Sequence, residues 1–476
     1  MRKSIPMTTI LRNSIPPLLG LLLAGCDFSP KYARPATAIP QSYKSERGWK
    51  TAQPGDAVLR GKWWRIFNDP ELNRIEERVG ASNQTVALAA ANFQAARAVV
   101  KQSQSQLFPS VTYNPSVSRA RTASGKGTGT TTTQITLPVD ASWEPDFWGS
   151  VHNTVKASRF DAQAAQADLE NAKLGVHSDA AVDYFQIRSL DEQEAILTSS
   201  VAAYRESLKL VQSRYATGIA SDQDVAQAQT QLNTAEAQAT DLGIQRAQFE
   251  HALAVLAGQP APVFAIGHSW SKTRPVSVPP GLPSALLERR PDIAAAERRV
   301  AAANAQIGVA RAAFFPTLTL SGSGGIQSHS FSKLVGGSSL IWSVGSSMAG
   351  TLFDAGKRQG VSEQAWASYQ ATVASYRQTV LTGMQEVEDN LSKQRILARE
   401  LQQQEAAVES SQRYLTLANN RYKLGIDSYI NVMTAQAALL NNSRAAANVR
   451  LNQMTTAVLL IKSLGGGWDA SQLTHR

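Results

Sequence analysis

The stretch RYKLGIDSYINVMTAQ at 421–436 has an earlier echo, RYATGIASDQDVAQAQ, at 214–229. This internal repetition constrains the chain more than any local motif, because each copy must then build the same unit. The offset of 207 positions recurs elsewhere. LFP at 107–109 matches FFP at 314–316, Gly149 matches Gly356, and Gly258 matches Gly465. The chain is therefore read as two copies of one structural unit.

Within each copy the hydrophobic period changes along the chain. Val111, Tyr113 and Val117 alternate with Thr112, Asn114, Ser116 and Ser118. Ile135, Leu137, Val139, Ala141 and Trp143 alternate with Thr136, Asp140, Ser142 and Glu144. In the second copy Leu318 and Leu320 alternate with Thr317, Thr319 and Ser321, while Leu340, Trp342, Val344 and Met348 alternate with Ser343, Gly345 and Ser347. Each pair of runs reads as a β-hairpin with one apolar and one polar face. Such hairpins occur half-buried in soluble proteins, and in exported chains they build outer-membrane barrels. Four strands cannot close a barrel, and lipid does not tolerate an open edge, so the barrel reading requires oligomerisation. Three chains would supply twelve strands.

A Gly-containing turn follows each hairpin, EPDFWGS at 144–150 and LFDAGKR at 352–358, and a long proline-free segment then begins. Residues 151–215 predict one helix of about 95 Å at 1.5 Å per residue. Its later seam, Leu197, Val201, Tyr204, Leu208, Val211 and Tyr215, is heptad-like. After Gly218 a return helix carries Val225, Ala228, Leu232, Ala235, Ala239 and Leu242, then Phe249, Leu253 and Leu256, with a polar lapse at Arg246. These are the seams of an antiparallel coiled-coil hairpin, and the second copy repeats them.

The rest of the chain is arranged around these units. Residues 1–25 join a basic start to the apolar run PLLGLLLAG and end against Cys26, the only cysteine. The run is too short for a stable membrane-spanning helix and reads as a secretory signal peptide. Residues 26–62 form an arm rich in Pro, Gly and charge. The repeats are 63–258 and 284–464, with β-hairpins at 109–144 and 316–352 and helical hairpins at 151–257 and 359–464. The connector 259–283 is proline-rich, and 465–476 is a tail.

A lone cysteine leaves no intrachain disulfide framework or cysteine metal site. The six histidines form no pair at helical ligand spacing, so no metal is expected. The basic residues behind the net charge of +10 are scattered, which speaks against a nucleic-acid surface. SGKGTGT at 124–130 lacks the spacing and the strand–helix setting of a phosphate loop and reads as a hairpin loop. Without a convergent catalytic constellation, neither an enzyme nor a cofactor is expected.

Leu23-Ala24-Gly25-Cys26 has the form of a bacterial lipobox. Together with WWRIFNDPELNRI, LLERRPDIAAAE, ARAAFFPTLTL, LFDAGKR and the two RYxxG turns, it resembles the TolC-type outer-membrane efflux factors, in the OprM/NodT lipoprotein branch. The likeness covers essentially the whole mature chain. It implies an α+β membrane protein: a homotrimer whose twelve-stranded outer-membrane β-barrel, four strands per chain, continues as a long α-helical periplasmic tunnel. It also implies cleavage before Cys26, lipidation of that residue, and a mixed α/β belt around 40–80, 258–290 and the C-terminus. The implied function is a passive exit duct of a tripartite efflux pump in a Gram-negative bacterium, conducting small toxic compounds or drugs. Its partners would be a periplasmic adaptor, an inner-membrane RND-type transporter and outer-membrane lipid.

A type I secretion duct and a structural periplasmic coiled-coil lipoprotein are the alternatives; the second has no use for two hairpins with apolar faces. The resemblance places a periplasmic gate at the helical turns. Where relatives carry aspartates just beyond the second turn, this chain has Asn431 and Thr434 beside Ile430. These three are read as lining a less acidic constriction whose remaining charge comes from Asp224, with Asp222 beside it. Two readings of the aspartates stand together, a charged ring that selects cations and a cap on the following helix. Arg214, Gly218, Arg421 and Gly425 match the tip motif that meets the adaptor, whereas Tyr215 and Tyr422 fit the coil seam.

Overall fold

The computed structural model describes residues 28–37, 39, 40, 44, 61–123, 129–269, 286–469, 471 and 473. The signal peptide, Cys26, most of the arm, the loop tip at 124–128 and most of the connector lie outside the described residues. The chain divides into two compact units. One comprises Met1–Pro35, Phe93–Ala164 and Ala296–Tyr376; the other comprises Ala36–Asn92, Ala165–Ala295 and Arg377–Arg476.

The first unit holds the sheet. Its strands are Ser110–Tyr113 (β1), Ser116–Thr122 (β2), Thr130–Trp143 (β3), Thr317–Ser328 (β4) and Leu340–Ala349 (β5). All pair antiparallel in the order β1-β3-β4-β5, with β2 also on β3. β1 and β2 are one strand in a single register: Tyr113 faces Val139 and Ser116 faces Thr136, with no residue inserted. The break falls at Asn114-Pro115 because Pro115 has no N–H to give, and neither has Pro138 on the facing strand. Asn114 still donates its N–H to the Pro138 carbonyl (3.4 Å). On its other side Pro138 faces Gly325, where a Cβ would come within 2.3 Å of the Leu137 carbonyl oxygen. Glycine is what lets β4 approach a proline-bearing strand. The chain thus contributes four strands, as the alternation predicts, and the two repeats join through β3 and β4.

The helices are Pro70–Ser82 (α1), Gln84–Ser105 (α2), Ser150–Ala216 (α3), Asp222–Leu256 (α4), Leu286–Arg289 (α5), Pro291–Ala312 (α6), Lys357–Lys423 (α7) and Tyr429–Ser463 (α8). α3 and α7 each have 67 residues, and α4 and α8 each have 35. Every boundary of α7 and α8 lies 207 positions after its counterpart in α3 and α4. The stops are chemical. Gly218 (φ 73°) and Gly425 (φ 74°) adopt the left-handed conformation that side chains resist. The next N–H then reaches back, Ile219 to the Arg214 carbonyl (2.8 Å) and Ile426 to the Arg421 carbonyl (3.0 Å), closing a Schellman motif. Asp69 opens α1 by accepting from the N–H groups of Glu71 and Leu72, with Pro70 at the first helical position.

The second unit is packed along the helical seams. Leu197, Tyr204, Leu208 and Val211 of α3 bury against Ala228, Leu232, Ala235 and Leu242 of α4, and against Tyr422, Tyr429, Val432 and Leu440 of the second hairpin. Tyr215 departs from the seam expected of it: it is 49% exposed, whereas Tyr422 is 6% exposed. The cause lies one helix on. Tyr429 packs against Tyr422 at 5.5 Å between ring centroids, while the position equivalent to Tyr429 in the first repeat is Asp222, which offers Tyr215 no cover.

Much of the α/β belt expected around 40–80 and 258–290 lies outside the described residues. Among the described residues these segments hold 3₁₀ turns at Trp63–Phe67 and Ala261–Val263 together with α1 and α5, and no strand. Pro260 and Pro262 remove ladder donors, and Trp63, Trp64 and Phe67 bury their rings instead of alternating. Among the described residues no helix is long and apolar enough to cross a membrane.

Candidate functional site

Directly opposed residues in a sheet share a face, so the registers sort the side chains. Val111, Tyr113 and Val117 lie on one face with Leu137, Val139, Leu320, Trp342, Val344 and Met348. Thr112, Ser116 and Ser118 lie on the other with Thr136, Asp140, Ser321, Ser323 and Ser343. Most of the apolar face is bare, with Tyr113 78%, Trp342 77% and Val344 81% exposed, while Ile135 is buried. The polar face is cross-linked by Ser323, which donates to Asp140 Oδ1 at 2.6 Å. A soluble sheet turns its apolar face to a core. This one presents it outward, the arrangement suited to lipid on one side and water on the other.

Aromatic rings mark the end of the sheet. Phe28, Phe315 and Trp148 stack in sequence at 4.7 and 4.8 Å, and Trp148 Nε1 donates to the Pro316 carbonyl at 2.6 Å. Residues 28–32 are fastened to α6. Asn304 donates to the Pro30 carbonyl (2.7 Å), Arg311 to the Phe28 carbonyl (3.3 Å), and Tyr32 to Glu297.

The helical turns differ in chemistry despite their equal lengths. Ser221 caps α4 in a capping box: its Oγ accepts from the Asp224 N–H (3.2 Å), and Asp224 Oδ2 accepts from the Ser221 N–H (3.0 Å). Asp222 stands exposed beside it. At the second turn Ser428 makes no side-chain cap. There Asp427 pairs with Arg421 at 2.5 Å, and the guanidinium holds the Asp427 carboxyl below its ordinary range. Asn431 is half-buried and donates its N–H to the Ser428 carbonyl (3.3 Å), Thr434 is exposed, and Ile430 is 50% exposed.

Arg214 is half-buried and engaged within its own chain. It donates to the carbonyls of Tyr422 and Lys423, both at 2.8 Å, with its guanidinium 4.4 Å over the Tyr422 ring. A cation at the C-terminal carbonyls of α7 satisfies orphan acceptors and opposes the helix dipole. Asp427 and the exposed pair Ile219 and Ile426 were not singled out from sequence, although the isoleucines recur at equivalent positions after each glycine.

Three charged clusters brace the second unit. Arg246, the polar lapse of α4, is buried between Asp191 and Glu250 and donates to the Ile266 carbonyl, all at 2.8 Å. Arg290 grips Asp292 with both edges of its guanidinium (3.0 and 2.6 Å) and reaches Glu386 (2.7 Å) and the Ser463 carbonyl (3.1 Å). That is the work of the RRPD stretch: one arginine ties the start of α6 to α7 and the end of α8. Glu76, fully buried, meets His177 Nδ1 at 2.6 Å, and burial pushes its carboxyl up to about 7.

Comparison with known proteins accounts for these features together. The family model described as "Outer membrane efflux protein" matches residues 77–259 and 282–466. The probable efflux pump outer membrane protein SepC of Pseudomonas putida is 32% identical over 464 residues, covering 95% of this chain and 96% of that one. The solvent efflux pump outer membrane protein SrpC of Pseudomonas putida is 32% identical over 478 residues, covering 97% and 99%. The solved outer-membrane channel OprN superposes with a TM-score of 0.88 at 28% identity, covering 93% of this chain and 100% of that one. With both repeats covered by the family model, the chain belongs to the outer membrane efflux protein family and is an outer-membrane efflux channel.

Proposed function

We propose that three copies of the chain close a twelve-stranded barrel through the outer membrane, with Cys26 carrying lipid. The duct would receive small toxic compounds or drugs from an inner-membrane RND-type transporter through a periplasmic adaptor. The observation that carries the trimer is a four-stranded sheet with one largely bare apolar face and two unpaired edges. Open edges are costly in lipid, and four strands are too few to close. The anchor is supported by the fastening of Phe28, two positions after Cys26, among the rings at the end of the sheet. SrpC, named for solvent efflux, supports small apolar cargo.

At the turns, Ile430, Asn431 and Thr434 would line a constriction with Asp222 and Asp224 as its charge, like charges that repel anions and favour cations. The adaptor would meet Gly218, Gly425 and Arg421 with the exposed Ile219 and Ile426, while Arg214 holds the two turns together from beneath.

Electron microscopy of the detergent-extracted mature protein tests the assembly. The expected result is a three-fold particle with a barrel; a monomer or a barrel-free rod would end this proposal. Asp224→Asn, alone and combined with Asp222→Asn, should lower cation preference in planar bilayers. An unchanged preference would remove the charged ring.

A further inference from the structure

The charges of the sheet are few and unevenly placed. Within the five strands only Arg119, Arg121 and Asp140 are charged. Asp140 faces Thr112 and Ser323 on the polar side. Arg119 and Arg121 oppose Thr133 and Thr131 and continue the alternation of Val111, Tyr113 and Val117, so both lie on the apolar face. Both are exposed, and among the described residues neither has an acidic partner.

A positive charge on the lipid side of a barrel is costly at mid-membrane and nearly free at the water boundary, so height decides what the pair can do. Counted from Val111, the first residue of β1 on this face, Arg119 and Arg121 lie about 27 and 34 Å along the strand. At a tilt of about 40° those lengths are about 21 and 26 Å of height, and the apolar band of an outer-membrane barrel is about 25 Å tall. The pair therefore straddles the edge of the band. That edge is the external one. β1 and β3 join α2 and α3 at their Ser110 and Trp143 ends, and the arginines stand at the opposite end, beside the hairpin loop. Arg121 leans further that way, since a Cβ on Gly129 would meet its Nε at 2.8 Å. Its charge is thereby carried off the apolar rows.

We propose that Arg119 and Arg121 bind the phosphate of an anionic lipid in the external leaflet, with its acyl chains against Val117 and Tyr113 below. This rests on the barrel reading above and adds a lipid ligand to its outer surface. Residues two apart on one face of a strand stand about 6.8 Å apart, close enough for two guanidinium forks to close on one phosphate. Thr131 and Thr133, directly opposed on the same face, add hydroxyl donors.

Native mass spectrometry of the full-length protein in neutral detergent tests the site, with bisphosphorylated lipid A as the probe. The wild-type trimer should retain this lipid and release its dephosphorylated form. At about fivefold per arginine, Arg119→Gln with Arg121→Gln should weaken retention about thirtyfold. Arg121→Gln alone, about fivefold weaker, serves should the pair disturb assembly. Arg205→Gln with Lys209→Gln removes two exposed charges from α3 and should change nothing; an equal loss there would reduce the site to general charge attraction and overturn it. Inorganic phosphate at the lipid's own concentration should not displace it, and displacement would make the site one for a free anion and overturn the lipid assignment. Equal retention of the dephosphorylated lipid, or unchanged retention in the glutamine variants of a trimeric particle, overturns the site and leaves the barrel standing. A monomeric mass for the wild type overturns both.

Discussion

Arg246→Ala tests whether the polar lapse in the α4 seam is a fastening. The Arg246 side chain is 10% exposed and makes two ion pairs and one carbonyl bond, each at 2.8 Å. Removing one partner of a buried pair costs about 3–5 kcal/mol. The low end applies here because neither carboxylate is stranded. Asp191 keeps Arg188 (2.9 Å) and the Ser269 N–H (3.1 Å), and Glu250 keeps the Ile266 N–H (2.9 Å). A loss of about 3 kcal/mol, at about 1.4 kcal/mol per factor of ten, raises local opening roughly a hundredfold. Hydrogen–deuterium exchange on the detergent-solubilised protein reads that opening segment by segment. Amides at 243–256 should lose about two orders of magnitude of protection, while those at 228–235, in the apolar seam, should keep theirs. A change below about threefold would refute the fastening. Arg246 would then rank with exposed pairs such as Arg205–Glu236. Arg246→Lys separates charge from shape, since a point charge cannot fork between two carboxylates and a carbonyl, and it should recover only part of the loss.

Two further outcomes follow from the same unit. The Glu76 carboxyl, pushed up to about 7 from an ordinary 4.5, binds its proton more readily in the folded protein than in the unfolded chain. Its stabilising contribution is therefore full below about 4.5 and is lost as the pH rises through 7. The thermal midpoint followed by circular dichroism should fall more steeply between pH 5 and 7.5 in the wild type than in Glu76→Gln; parallel curves would contradict this. Gly218→Ala and Gly258→Ala impose similar left-handed strain, at φ 73° and 66°, on different surroundings. A new Cβ meets nothing within 4 Å at 218 but comes within 2.3 Å of the Ser82 carbonyl oxygen at 258. The first should cost about 1–2 kcal/mol and the second clearly more, and a reversed order of melting points would overturn the steric account.

The candidate site was legible in sequence to the extent that its chemistry is local. The alternation in 110–143 and 317–349 announces which side chains share a face, because a strand's period is two whatever it pairs with. The capping of α4 was legible in part: aspartates at 222 and 224 signal a helix start, but the cap itself is Ser221, with Asp224 as its reciprocal partner. Arg214 was not. An arginine at a helix end looks the same from sequence whether it faces a partner or its own chain, and its acceptors at 422 and 423 are some two hundred residues away. Asp427 was missed for the converse reason: it sits in a turn where aspartate is common, and only the 2.5 Å contact with Arg421 distinguishes it.

By itself, the sequence determined the duplication, the number and faces of the strands, the length of the long helices and their glycine stops. These follow from backbone sterics and hydrophobic period, which act over a few residues and repeat identically in both copies. Tertiary structure alone decided which strand of the first repeat meets the second, and that Asp191 answers Arg246 across 55 positions. It also decided that Tyr422 is covered while Tyr215 is bare. Those choices depend on partners brought together only by folding. A buried ion pair and a solvated one are written with the same residues, and burial, which local sequence does not carry, sets the difference in their energy.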